Sequence, residues 1–179
     1  MWTGKGSDNL AAMAEVGIAP LDAKGLQGWA LCHRTHSTYL HSILRDGIKP
    51  GGNKRGGERA VHFTKYHPQD KRTTYSGRAG ASVVLELDMP KVVRLLGKEL
   101  GAIPGSSKFE FFETKACCVL CASGVPPCCI ARVTDATSRL TLWCRPKEWD
   151  ESPGSLAPQP LRLRLPNNVL CRSCNNIKR

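Results

Sequence analysis

Residues 1 to 25 contain neither an arginine nor a histidine. Nowhere does the chain carry a G-x-G-x-x-G fingerprint or a Walker loop, so the commonest nucleotide-binding folds are not indicated. No apolar run approaches the roughly 18 residues that a membrane-spanning helix needs, and no membrane partner is expected. Met1 to Ala14 is too polar for the apolar core of a secretory signal. Together with nine cysteines, this points to a reducing intracellular compartment, cytoplasmic or nuclear. The odd cysteine count also leaves at least one thiol that cannot pair within the chain. Hydrophobic residues make up 41% of the 179, and 12 residues are prolines. That mixture suits one compact domain with loose ends.

What the chain does have is concentrated between His33 and Thr64, which holds four of its five histidines. The net charge is +11, and residues 45 to 78 carry nine basic residues against three acidic ones. The basic set is Arg45, Lys49, Lys54, Arg55, Arg59, Lys65, Lys71, Arg72 and Arg78. A local excess of this kind favours an anionic partner such as phosphate, a nucleotide or RNA.

Pattern and punctuation predict an α+β domain. Gln27 to Cys32 reads as a first strand ending at His33. Ser37 and Thr38 are good caps for a helix over about Thr38 to Asp46, with Tyr39, Leu40, Ile43 and Leu44 along one face. Gly47 should stop that helix, with Ile48 folding back over its last turn. Lys49 to Glu58 is glycine-rich and basic, a loop. Strands are expected at Ala60 to Thr64, Ser82 to Leu87, Phe109 to Glu113, Cys118 to Ala122 and Cys129 to Thr134. Asp88, Met89 and Pro90 should break the strand over Ser82 to Leu87, and a short helix is expected in Val92 to Leu100. The pattern decays after Trp143. The expected organisation is a flexible segment 1–25, a domain 26–144, and a Pro-rich basic tail 145–179 ending in a C-x-x-C.

A histidine beside a threonine can hydrogen-bond a ribose or an amide, while an arginine meets phosphate through a charge-assisted fork. His33, Thr35 and Arg59 would converge if the strands around Cys32 and Val61 lie side by side. A dinucleotide such as NAD requires such contacts.

The chain resembles the RNA 2′-phosphotransferases of the ADP-ribosyltransferase superfamily over roughly Gly28 to Asp135. His33-Arg34-Thr35 is similar to the family's His-Gly-Thr, with Arg34 in place of the glycine. Ser42 to Ile48 is similar to its helix ending in Gly-Leu, and Arg59-Ala60-Val61-His62-Phe63 to its Arg, His-Val-His-Phe strand. Gly77-Arg78 with Val83 to Asp88 resembles its Gly-x-Arg and the strand that follows. Phe111 to Lys115, Val119-Leu120 and Val125-Pro126-Pro127 resemble its Phe-Tyr-x-Ser strand, Val-x-Leu strand and Val-Pro turn.

The resemblance implies a split antiparallel sheet with one or two short helices. It also implies a reaction that consumes NAD to remove an internal 2′-phosphate from RNA, as in tRNA splicing. His33 and Thr35 would hold the nicotinamide half of NAD, Arg59 its phosphates, and His62 would support the strand. Lys54, Arg55 and Arg78 would meet RNA phosphate, and Arg55 could substitute for Arg59.

Glu113 suggests an alternative. In protein-modifying ADP-ribosyltransferases a glutamate on the corresponding strand orients the ribose. His33, Phe63 and Glu113 resemble that His-Tyr-Glu triad with Phe in place of Tyr, which would support transfer to protein or plain NAD hydrolysis. A non-catalytic module that holds RNA or ADP-ribose is the remaining alternative.

No metal is expected in the reaction. Cys171 and Cys174 have the two-residue gap of a zinc pair, but only five residues follow to supply further ligands. Cys117, Cys128 and Cys129 read as small apolar core residues.

Overall fold

The computed structural model describes residues 19–50, 60–73, 80–100, 108–114 and 117–145. Among the described residues, seven strands and two short helices form a mixed α+β fold. The strands are β1 (Cys32–Thr35), β2 (Val61–Thr64), β3 (Val83–Leu87), β4 (Phe111–Glu113), β5 (Cys118–Cys121), β6 (Ile130–Asp135) and β7 (Thr141–Cys144). The helices are α1 (Leu40–Asp46) and α2 (Met89–Leu95). All strands belong to one sheet in the order β4-β5-β2-β1-β3-β6-β7, so β1 lies in the middle. Every pairing is antiparallel.

Why these segments are strands follows from what they bury. Val83, Val84 and Leu85 are all buried, as are the four residues of β5. Strands covered on both faces read as continuous apolar runs rather than alternating ones. The larger core gathers Phe63, Phe109 and Phe111 with Val83, Leu85, Leu87, Val119 and Val133. Edge-to-face contacts join Phe63 to Phe111 at 5.8 Å and Phe109 to Phe111 at 5.1 Å between ring centres. Leu40, Ile43 and Leu44 of α1 and Val92 of α2 pack into the same core. A smaller cluster of Ala60, Phe112, Cys118 and Leu120 is separate from it.

Several boundaries differ from the sequence expectation for local reasons. His33 lies within β1 and not at a strand end, because pairing with β3 begins at Cys32 and runs on to Thr35. The second helix starts at Met89, upstream of the expected Val92. Asp88 is its N-cap, accepting from the Lys91 N–H at 3.1 Å, and Pro90 sits in the first turn, where a missing N–H is harmless. Ser37 and Thr38 do not cap α1; they belong to a 3₁₀ turn, Ser37–Tyr39, that leads into it. Pro127–Cys129 is also a 3₁₀ turn, and β6 begins after it. Leu21, placed by sequence in the flexible segment, packs against the core and donates its N–H to the Phe111 carbonyl at 2.7 Å.

Gly47 does end α1, and its φ of +86° is a conformation side chains rarely adopt. A Cβ there would lie 2.3 Å from the Val125 carbonyl oxygen. The close approach exists because Ile48 and Val125 exchange both backbone hydrogen bonds at 2.8 Å. Gly124, with φ of +79°, meets the Ile48 carbonyl from the other side. Two glycines thus let the chain after α1 clasp the turn before β6.

Candidate functional site

The site lies where the sheet is least zipped. β1 pairs with β3 through four registered residues, Cys32 to Thr35. With β2 it registers only one pair, Cys32 and Thr64. The Ala30 N–H also reaches the Lys65 carbonyl at 2.8 Å, so the two strands meet at one end of β1. Beyond that point the His33 imidazole takes over from the backbone ladder. Its Nδ1 lies 2.8 Å from the carbonyl oxygen of His62. A carbonyl can only accept, so Nδ1 carries the proton, and in the neutral ring Nε2 is the acceptor.

His33 is half-buried and its ring centre is 5.7 Å from that of the buried Phe63. Thr35, two residues along β1, is buried, and its carbonyl accepts from Ser82 N–H at 3.0 Å. His62 is half-buried, with Nδ1 at 3.5 Å from the Cys118 sulfur. Glu113, Val119 and Phe63 lie directly opposite one another across β4, β5 and β2. The row brings Glu113 to the same sheet face as Phe63. His33 and Phe63 therefore lie on adjacent strands, whereas Glu113 is on β4, separated from Phe63 by β5. Arg59, Arg55, Lys54 and Arg78 fall outside the described residues, as do Cys171 and Cys174.

Two residues that the sequence reading did not assign to the site complete this geometry. The Lys65 ammonium forms an ion pair with Glu113 and sits 4.5 Å from the centre of the Trp29 ring. A cation between a carboxylate and an aromatic face is attracted by both. The signal for Lys65 was present: it continues the alternation Val61, Phe63 beyond the end of β2. The partnership with Glu113 spans 48 residues and has no sequence signature.

A comparison with protein-family models returns no match, and a comparison with curated proteins returns none.

Among the described residues, several cations of the basic stretch are held by carboxylates. Arg45 pairs with Asp46 at 2.8 Å, and Lys49 reaches the same carboxylate at 3.7 Å. Arg72 pairs with Asp70 at 2.7 Å and stacks 3.9 Å from the Tyr66 ring centre. The Arg72 side chain holds the Asp70 carboxyl down to about 2. Arg45 likewise lowers the Asp46 carboxyl below the usual range. Among the described residues no group of three metal-ligating side chains comes together. None of their helices is long and apolar enough to cross a membrane.

Proposed function

We propose that the chain has an ADP-ribosyltransferase-like fold and acts as an NAD-consuming RNA 2′-phosphotransferase. The observation that carries the reading is the His33 imidazole bridging the sheet where β1 and β2 register a single pair. A histidine held by a backbone carbonyl on the central strand, beside a sheet opening, suits the nicotinamide-ribose half of NAD. With the proton on Nδ1, Nε2 has the acceptor character that a ribose hydroxyl or a carboxamide N–H requires.

In such a reaction NAD supplies an activated anomeric carbon that loses nicotinamide when the 2′-phosphate attacks it. A ribose hydroxyl then displaces the dephosphorylated RNA and leaves ADP-ribose cyclic phosphate. The residues of this chain have to orient NAD and offset phosphate charge, since the reacting centre becomes cationic while phosphate remains anionic. His33 would orient the ribose, with Thr35 fixing its strand. Arg59, followed directly by Ala60 and β2, would meet phosphate, assisted by Lys54, Arg55 and Arg78.

A second reading, transfer of ADP-ribose to protein or water, is favoured by the Glu113–Val119–Phe63 row and by the nearness of His33 to Phe63. There the Glu113 carboxylate would hold the ribose hydroxyls, for which it must exchange its bond with Lys65.

The deciding experiment incubates the protein with NAD and a short RNA bearing one internal 2′-phosphate. Loss of the phosphate with stoichiometric nicotinamide release is the expected result, and Arg59→Ala should abolish it. Nicotinamide release without phosphate loss, removed by Glu113→Gln, would favour the second reading. NAD or ADP-ribose binding by calorimetry without turnover would mean a non-catalytic module.

A further inference from the structure

Trp29, Lys65 and Glu113 meet at one end of the sheet, and each is partly exposed. Lys65 directly follows β2 and reaches past β5 to Glu113 on β4, with which it forms an ion pair. On its other side the ammonium lies 4.5 Å from the centre of the Trp29 ring. The backbone holds this arrangement in place. The Lys65 carbonyl accepts from the Ala30 N–H at 2.8 Å, which ties Lys65 to the segment that carries Trp29. The Thr64 hydroxyl donates to the Tyr66 carbonyl at 2.6 Å and fixes the chain on either side of Lys65. Among the described residues no second cation pairs with Glu113.

The cluster adjoins the proposed NAD site. Thr64, the residue before Lys65, is the β2 partner of Cys32, and His33 follows Cys32 on β1. Lys65 continues the alternation of Phe63, and the Glu113–Val119–Phe63 row places Glu113 on the same sheet face. The Phe63 ring in turn is 5.7 Å from that of His33. A bare carboxylate at this place would have two consequences. It would accept from ribose hydroxyls, as the second reading requires, and it would repel an incoming phosphate.

We propose that Lys65 is a positioning residue that sets which acceptor takes ADP-ribose from NAD, an inference that rests on the NAD-consuming reading of this site. By holding the Glu113 carboxylate, Lys65 favours the RNA 2′-phosphate over water. The Trp29 face keeps the ammonium within reach of Glu113. In either course the bond between the anomeric carbon and the nicotinamide nitrogen breaks, and its electron pair leaves with nicotinamide. The new bond runs to a 2′-phosphate oxygen in one course. In the other it runs to the oxygen of water, whose surplus proton passes to solvent. A partly exposed ion pair biases an equilibrium by up to about fivefold. Lys65 therefore shifts the partition between acceptors without closing either course.

The test measures nicotinamide release and 2′-phosphate loss side by side, for the full chain with NAD and a short 2′-phosphorylated RNA, and nicotinamide release with NAD alone. Lys65→Met should raise release with NAD alone by up to about fivefold and increase the nicotinamide released per phosphate lost. Trp29→Leu, which loosens the ammonium, should move that ratio the same way by a smaller factor. Lys65→Arg keeps the cation and should keep the wild-type ratio, and adding Glu113→Gln to Lys65→Met should abolish the gain. A wild-type ratio in a folded Lys65→Met protein that still turns over NAD, or in Trp29→Leu where Lys65→Met does not fold, would overturn the role of Lys65 alone. So would a gain that persists in the double variant, since it would not pass through Glu113. Absence of both calorimetric NAD binding and nicotinamide release in the wild type would instead overturn the NAD-consuming reading, and this inference with it.

Discussion

The sheet on the β3 side of the β1/β2 joint and the sheet on the β2 side are built from different materials. On one side β1, β3 and β6 are zipped by four and then five registered pairs around Val83, Leu85 and Val133. On the other, β2, β5 and β4 are joined by four and three pairs around Phe63 and Phe111. The aliphatic side contributes His33 from its edge at the joint. The aromatic side contributes His62, Lys65 and Glu113. Each side is well laddered, while between them stand one registered pair and an imidazole–carbonyl bond. A candidate site assembled at such a seam draws groups from two firm platforms and sits where the backbone between them is least committed.

The largest expected effect tests whether the two sides fold as one. Phe111→Ala on the aromatic side should cost about 3–5 kcal/mol, and Leu85→Ala on the aliphatic side about 2–5 kcal/mol. In urea melts both should lower the midpoint of one transition, with unchanged slope. If hydrogen exchange in Phe111→Ala showed β5 opening while β3 stayed protected, the shared core would not unite the two sides.

A smaller effect probes the seam itself. His33→Ala removes the donor to the His62 carbonyl and should cost about 1 kcal/mol, the usual worth of one such bond. The proposed function adds that calorimetric NAD binding should disappear. Retained NAD affinity would separate the structural role of His33 from the assigned one.

The smallest effect concerns Lys65. Its pair with Glu113 is partly exposed, at 20% and 35% for the two side chains, and Lys65→Met should cost less than about 1 kcal/mol. Added salt should weaken the wild type slightly more than the variant, because screening removes what the variant already lacks. A loss of several kcal/mol would show that Lys65 ties the strands together rather than neutralising one carboxylate.

Much of the scaffold was legible along the chain. The i, i+4 apolar spacing gave α1, Gly47 marked its end, and the apolar runs gave β2, β3, β4, β5 and β6 to within about two residues, because each signal is local. Asp88-Met89-Pro90 does end β3, but the helix was placed too late, because a cap followed by proline starts a helix as readily as it ends a strand. β7 was not recognised as a strand. Its short run Thr141 to Cys144 becomes one by pairing with β6. At the candidate site, His33, Thr35, His62 and Glu113 were picked out by residue type, and Lys65 and Trp29 were not.

The amino-acid sequence by itself determined which short segments would be strands and helices, and which residue types were available for chemistry. Only the tertiary structure decided that β1 would lie in the centre and meet β2 through a single registered pair. It also decided that Lys65 would neutralise Glu113 across 48 residues and that Arg145 would reach Asp88 across 57. The reason is physical. Periodicity and capping act over one or two turns of chain, whereas these partnerships depend on where independent strands come to rest in the sheet.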